Sequence, residues 1–215
     1  FLSGWMLGVP GHRVLFTTIP VVAWVTGALI YGVDRFLFWR VLAYVAVFHF
    51  IRQQYGFMMF YAREESDSDN LKQADRFFIY ACTIYPVVYW HTHMPRNFHW
   101  FVDGDFIPGL PGLFEKIAFW CFMFAGAVYL FKEFKVFIET KQINIPKNTF
   151  ALGTALSWNS GIVLFDDDII FTVTNVVSHG LPYIAFIWIY GNKQADRSPG
   201  RMTVFGFSLD AVFQP

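Results

Sequence analysis

The chain has 215 residues, 55% of them hydrophobic, 21% aromatic and only 15% charged, with a mean hydropathy of +0.40. Soluble domains carry about 25% charge, so the composition excludes an ordinary water-soluble domain and points to a polytopic helical membrane protein. Sixteen basic residues balance sixteen acidic ones and no Lys/Arg cluster is interleaved with aromatics, which excludes a surface for nucleic acid.

The first predicted span covers 14–31, eighteen residues without a charge. At 1.5 Å per residue that crosses most of a roughly 30 Å hydrocarbon core. Span two, 36–61, carries Arg40, His49, Arg52, Gln53 and Gln54, so its polar side must face protein or water. Span three, 77–90, is short and contains Pro86, which predicts an irregular segment beyond it. Spans four (117–131), five (148–165) and six (169–190) follow, the last two separated only by Asp166, Asp167 and Asp168 in a tight helical hairpin. Cys82 and Cys121 fall in apolar runs and read as small core residues. We expect an all-α integral membrane bundle of about six spans, a single transmembrane domain over 1–215 in a piece of a longer chain.

Basic residues set the orientation. One side collects Arg13, Arg63, Lys72, Arg76, Lys132, Lys135, Lys141, Lys147, Lys193, Arg197 and Arg201, eleven in all, against Arg35, Arg96 and Lys116 on the other. Both ends of the chain and the 63–76 and 132–147 loops are therefore expected in the cytoplasm, in a multi-pass protein of a bacterial inner membrane. Segment 91–112 lies on the opposite side, its aromatics in the interfacial belt. The acidic loop with Glu64, Glu65, Asp67 and Asp69 is expected in solvent, and it lacks the Gly and closing Glu of an EF-hand.

Candidate chemistry lies in the histidines. Asp168, Thr172, Asn175 and His179 share one helical face in span six. His49, Arg52, Gln53 and Gly56 share one in span two, in the string HFIRQQYG. Opposite crossing directions put His49 and His179 at similar depth, so the two polar faces are expected to meet, because such groups are disfavoured in lipid. His91, His93 and His99, with Asp103 and Asp105, lie in the outer string HTHMPRNFHWFVDGD. His99 and Asp103 have ligand spacing but equally suit a loop hydrogen bond at the Asp103–Gly104 turn. Imidazoles and carboxylates together suit first-row metals. The phosphate-loop, GxGxxG, GxSxG and HExxH patterns are missing, and HTH does not match the HxxxH and HxxHH boxes of membrane desaturases.

The architecture loosely resembles the bacterial integral-membrane carotenoid oxygenases, whose iron is held by histidines from several helices. No motif aligns, so no residue is carried over. The leading expectation is a metal-dependent oxidoreductase or oxygenase-like protein acting on a hydrophobic small molecule such as a lipid, carotenoid or quinone. Its ligands are His49 and His179, with His179 the residue most needed, and further donors from His91, His93 or His99. Arg52, Gln53 and Asn175 are assigned to cofactor binding, with Gln53 and Asn175 orienting ligands or a bound water and Arg52 pairing with Asp168 or a substrate carboxylate. The ion is a transition metal, Fe foremost, with Zn, Cu, Mn or haem as alternatives. A transporter or proton-conducting subunit lined by the same residues, and a structural subunit that binds membrane lipid and other membrane subunits, remain open beside it.

Overall fold

Asp34 marks the first sharp boundary in the chain: its carboxylate accepts the amides of Phe36 (2.7 Å) and Leu37 (3.1 Å), an N-cap that separates two helices with a single residue between them. The computed structural model describes residues 12–63, 65, 69–197, 203–204 and 207–208. Its helices are α1 (His12–Val33), α2 (Arg35–Ala62), α3 (Asp69–Thr92), α4 (Gly112–Thr140), α5 (Ile145–Trp158), α6 (Asp168–Phe171) and α7 (Ser178–Arg197). A π-turn, Asn159–Leu164, continues α5, and a second, Thr172–Val177, joins α6 to α7. A two-residue antiparallel pair, Thr203–Val204 with Phe207–Ser208, is the only extended pairing among the described residues.

The protein is all-α, and three of its helical runs are long and apolar enough to cross a membrane: Arg35–Ala62, Gly112–Thr140 and Asp168–Ile189. Thr17–Val33 is a shorter apolar helix. The six expected spans thus reduce to three that meet both criteria. The first turns of α3 carry Asp69, Lys72, Asp75 and Arg76, and α5 has only 14 residues before its π-turn. Large side chains such as Phe48, Trp120, Phe124, Leu130 and Phe131 are exposed, a density of bare apolar surface that suits acyl chains rather than water.

The chain divides into two units, one of Phe1–Phe38 with His179–Pro215 and the other of Trp39–Ser178. In the first, Phe38 meets Tyr31 edge-on at 5.5 Å and the Arg35 guanidinium lies over the same ring. The second holds two apolar clusters. One gathers Ala43, Val47, Trp90, Phe98, Phe106, Trp158, Ile162 and Phe171; the other gathers Met58, Phe78, Ile79, Cys82, Ala125, Tyr129 and Ala151. On α2 the buried positions are Ala43, Val47, Gln54, Met58 and Ala62, spacings of four and seven that trace one helical face. Cys82 is buried as expected, whereas Cys121 is exposed on α4.

Polar termini fix the remaining elements. Asn144 accepts the Lys147 amide and Pro146 stands in the first turn of α5, an arrangement suited to a helix start. Asp167 accepts the Ile170 amide at 2.9 Å to begin α6. Only Phe165 to Asp167 lie between the two helical runs, so the tight hairpin expected at the three aspartates is present.

Candidate functional site

The segment after α3 folds back onto the second unit, and its aromatics are core residues rather than a surface belt. Phe98 and Phe106 are buried against Trp90 and Phe171, while Phe101 stays exposed. Arg96 secures the fold-back to the hairpin, pairing with Asp166 at 3.1 Å and donating to the carbonyls of Ile162 and Phe165. Asn97 binds the same carboxylate through its amide nitrogen. The turn is held by Asp105, not Asp103: the buried Asp105 carboxylate accepts the amides of Phe101 and Val102.

His91 is half-buried with both ring nitrogens engaged. Its Nδ1 donates to the Val87 carbonyl at 2.7 Å, which makes Nε2 the acceptor for the Tyr44 hydroxyl at 2.9 Å; the Tyr44 oxygen in turn accepts from the Ile107 amide. This chain of bonds ties α2, α3 and the outer segment together. His93 is exposed and stacks on Tyr89 at 3.9 Å. His99 is exposed.

On α2 the apolar packing face decides which polar residues point inward. His49 and Arg52 lie on the exposed side and Gln53 is half-buried. Arg52 donates to the Tyr80 hydroxyl and covers the Tyr55 ring; it does not pair with Asp168. The next residue, Gln54, is the buried amide, accepting from the Thr154 hydroxyl of α5 at 2.9 Å.

Asn175 is buried, 2% exposed, at the contact between the two π-turns. Its Nδ2 donates to Thr174 Oγ1 (3.0 Å) and the Phe171 carbonyl (3.3 Å), and its Oδ1 accepts no bond among the described residues. Gly161 on the opposite π-turn permits this approach, for a Cβ there would overlap Asn175 Nδ2 and Thr174 Oγ1. π-turns recur at functional sites because they break the regular helical ladder. His179, half-buried, belongs to the other unit.

The densest polar cluster lies elsewhere. Lys132 of α4 contacts Asp75, Glu65 and Glu133 at 3.0 to 3.3 Å, and Lys147 of α5 contacts Glu65 at 2.7 Å, Asp75 at 3.7 Å and Glu133. The side chains are 2% exposed for Lys132, 1% for Lys147, 0% for Asp75 and 13% for Glu65. Glu65 is therefore not a solvated loop residue: two ammonium groups and the Asn144 amide draw it inward. Glu64 and Asp67, expected in the same loop, lie outside the described residues, as does the Asp69 side chain. Asn148 completes the network, donating to Glu133 and accepting from the Tyr129 hydroxyl.

Burial pushes the Asp75 carboxyl above the ordinary aspartate range, against the pull of Lys147 and Lys132. A cleft of about 450 Å³ opens beside the network, lined by Glu65 and Glu133 together with Phe60, Tyr61, Arg63, Val136, Thr140, Gln142, Ile143, Asn144 and Pro146. α4 extends about 43 Å at 1.5 Å per residue, beyond a hydrocarbon core of about 30 Å. Lys132 stands 20 residues after Gly112, about 30 Å along that helix at 1.5 Å per residue.

Among the described residues no group of three or more His, Cys, Asp or Glu side chains is arranged to hold a metal ion. No family model, curated protein or solved structure matches the chain.

Proposed function

We propose that this is a proton-coupled membrane transporter whose proton is held by the network of Glu65, Asp75, Lys132, Glu133 and Lys147. The observation that carries the reading is the charge count of that network. Three carboxylates face two ammonium groups, so one proton brings the buried set to neutrality, and Asp75, the carboxylate most completely withdrawn from water, is the group that holds it. A largely buried ion set is a poor device for stability, since apolar replacement is often neutral or better; a titratable set beside a cleft has a use in transport. The basic-residue bias supports a cytoplasmic opening for the cleft and cytoplasmic ends for the chain.

The test is a pH jump applied to the reconstituted protein on a solid-supported membrane. A transient charge displacement is expected from the unaltered chain and none from Asp75→Asn. Equal displacement from both overturns the reading.

A second reading, a metal-dependent oxidoreductase acting on a hydrophobic substrate, draws on the paired π-turns and the buried Asn175 carbonyl oxygen, which suit a hydrogen-bond donor such as a bound water. Element analysis of the purified protein separates the two: stoichiometric iron, zinc, copper or manganese lost on His179→Ala favours the second.

A further inference from the structure

Arg52 is a charge inside a membrane-length helix with no counter-charge beside it. α2 has 28 residues and is long and apolar enough to cross a membrane. At 1.5 Å per residue it extends about 42 Å, with Arg52 about 25 Å from its first residue and about 15 Å from its last. Wherever a core of about 30 Å is laid along this helix, Arg52 falls inside it. The guanidinium is held at that depth. It donates to the hydroxyl of Tyr80, midway along the 24 residues of α3, and lies over Tyr55, whose ring stacks on Tyr80 at 5.2 Å. Both rings are neutral, so they orient the guanidinium without cancelling its charge, and most of its N–H donors are not used by them. Among the described residues no carboxylate pairs with Arg52. Gly56, one turn further along the exposed side of α2, leaves the adjoining surface open, with nothing within 4 Å of a Cβ built there. A cation at membrane depth is strongly disfavoured without an anion and marks a substrate or ion path.

We propose that Arg52, on its platform of Tyr55 and Tyr80, binds a small organic monocarboxylate, and that this anion and the proton of the ionic network occupy the protein together, one for one. This rests on the proton-binding reading above and adds the class of cargo. The planar guanidinium fork matches a carboxylate. Asp75 and Tyr80 are on the same helix, about 7.5 Å apart along its axis, so the two sites sense each other's charge. With its proton the network is neutral and Arg52 is a lone cation; without it the network carries one negative charge. A proton alone therefore leaves the two sites with a net positive charge and an anion alone leaves a net negative one, whereas both together, or neither, sum to zero. At separations on the order of 10 Å and an effective dielectric of about 20, this balance is a coupling of roughly tenfold. Asp75 is faced by Glu65 from the α2–α3 connection, by Lys132 and Tyr129 from α4 and by Lys147 from α5, with Glu133 sharing both ammonium groups and Lys72 and Arg76 near it on α3. Arg76, exposed one turn before Tyr80, adds to the positive potential there.

The experiment is calorimetric titration of the full chain in phosphatidylcholine nanodiscs, at a pH above the Asp75 transition, with propionate, benzoate and the uncharged propionamide. Buffers of different ionisation enthalpy give the proton count. Both carboxylates are expected to bind with uptake of one proton, and propionamide not at all. Arg52→Gln should weaken the carboxylates roughly tenfold or more, for loss of a charge-assisted bond, while the Asp75 titration survives. Arg52→Lys keeps the charge without the fork and should restore part of the binding together with the proton uptake. Asp75→Asn, whose network is held neutral, should bind the carboxylates without proton uptake. Failure of both carboxylates to bind a protein whose Asp75 still titrates overturns this inference alone. Binding unchanged in Arg52→Gln, or binding to the unaltered chain without proton uptake, does the same. Loss of benzoate binding when phosphatidylglycerol is added to the nanodisc assigns the guanidinium to a lipid headgroup and overturns the soluble cargo. Proton uptake that persists in Asp75→Asn overturns the transporter reading.

Discussion

Gly161→Ala tests the contact between the two π-turns. The added Cβ would overlap Asn175 Nδ2 and Thr174 Oγ1 and sit 3.3 Å from Asn175 Cγ. Neither obstacle is a loose side-chain end. Thr174 Oγ1 donates to the Ile170 carbonyl at 2.7 Å, and Asn175 Nδ2 holds Thr174 and Phe171, so making room breaks bonds inside a buried site. Overpacking costs about 1 to 3 kcal/mol, and a buried amide left without its partners adds about 1 to 3 kcal/mol, giving a loss of about 2 to 6 kcal/mol. Reversible unfolding in mixed micelles, followed by helical circular dichroism, measures it. In a Thr174→Ala/Asn175→Ala background both obstacles are gone, and the same change should cost under about 1 kcal/mol, since Ala is the better helix former. Equal cost in the two backgrounds, or no cost in the unaltered chain, would refute the reasoning.

Lys132→Met should destabilise by about 3 to 5 kcal/mol, because it leaves three carboxylates sharing the Lys147 ammonium alone, whereas Lys135→Met, which breaks only the exposed pair with Glu139, should stay within about 0.5 kcal/mol; the same unfolding assay compares them. Arg96→Ala removes the pairing to Asp166 and two carbonyl contacts, and limited proteolysis between residues 93 and 111 should accelerate. Gln54→Leu should cost about 1 kcal/mol by depriving the Thr154 hydroxyl of its acceptor, and the loss should largely vanish in the Gln54→Leu/Thr154→Val pair.

The helices were legible because charge-free runs and capping residues are local signals. Long α2 and α4 follow from their apolar length, and the turn at Asp166 to Asp168 from its three acidic residues. The site was less legible because its partners are far apart in sequence: Lys132 meets Asp75 across 57 positions and Lys147 meets Glu65 across 82. A loop carboxylate such as Glu65 looks solvated until the ammonium groups that draw it in are known. On α2 the signal was present in part. A polar stripe through His49, Arg52 and Gln53 was readable, but Ala43, Val47, Met58 and Ala62 define the packed face, and that face selects Gln54. The outer segment shows the same limit, since its aromatics suit an interface as well as a core until Trp90 and Phe171 are placed against them.

The central claim is that Asp75 holds a proton which the network can give up, and difference infrared spectroscopy of the protonated-carboxyl band tests it most directly. With its folded value raised above the ordinary 3.8, Asp75 makes the native state bind more protons than the unfolded state in the window from 3.8 up to that folded value. Its contribution to stability is therefore complete below the window and is lost as pH rises through it. The account predicts a carboxyl band in the unaltered protein that persists above the ordinary aspartate range, disappears reversibly on further alkalinisation and is missing in Asp75→Asn. A band that titrates at the ordinary aspartate value, or one unchanged by Asp75→Asn, would contradict it.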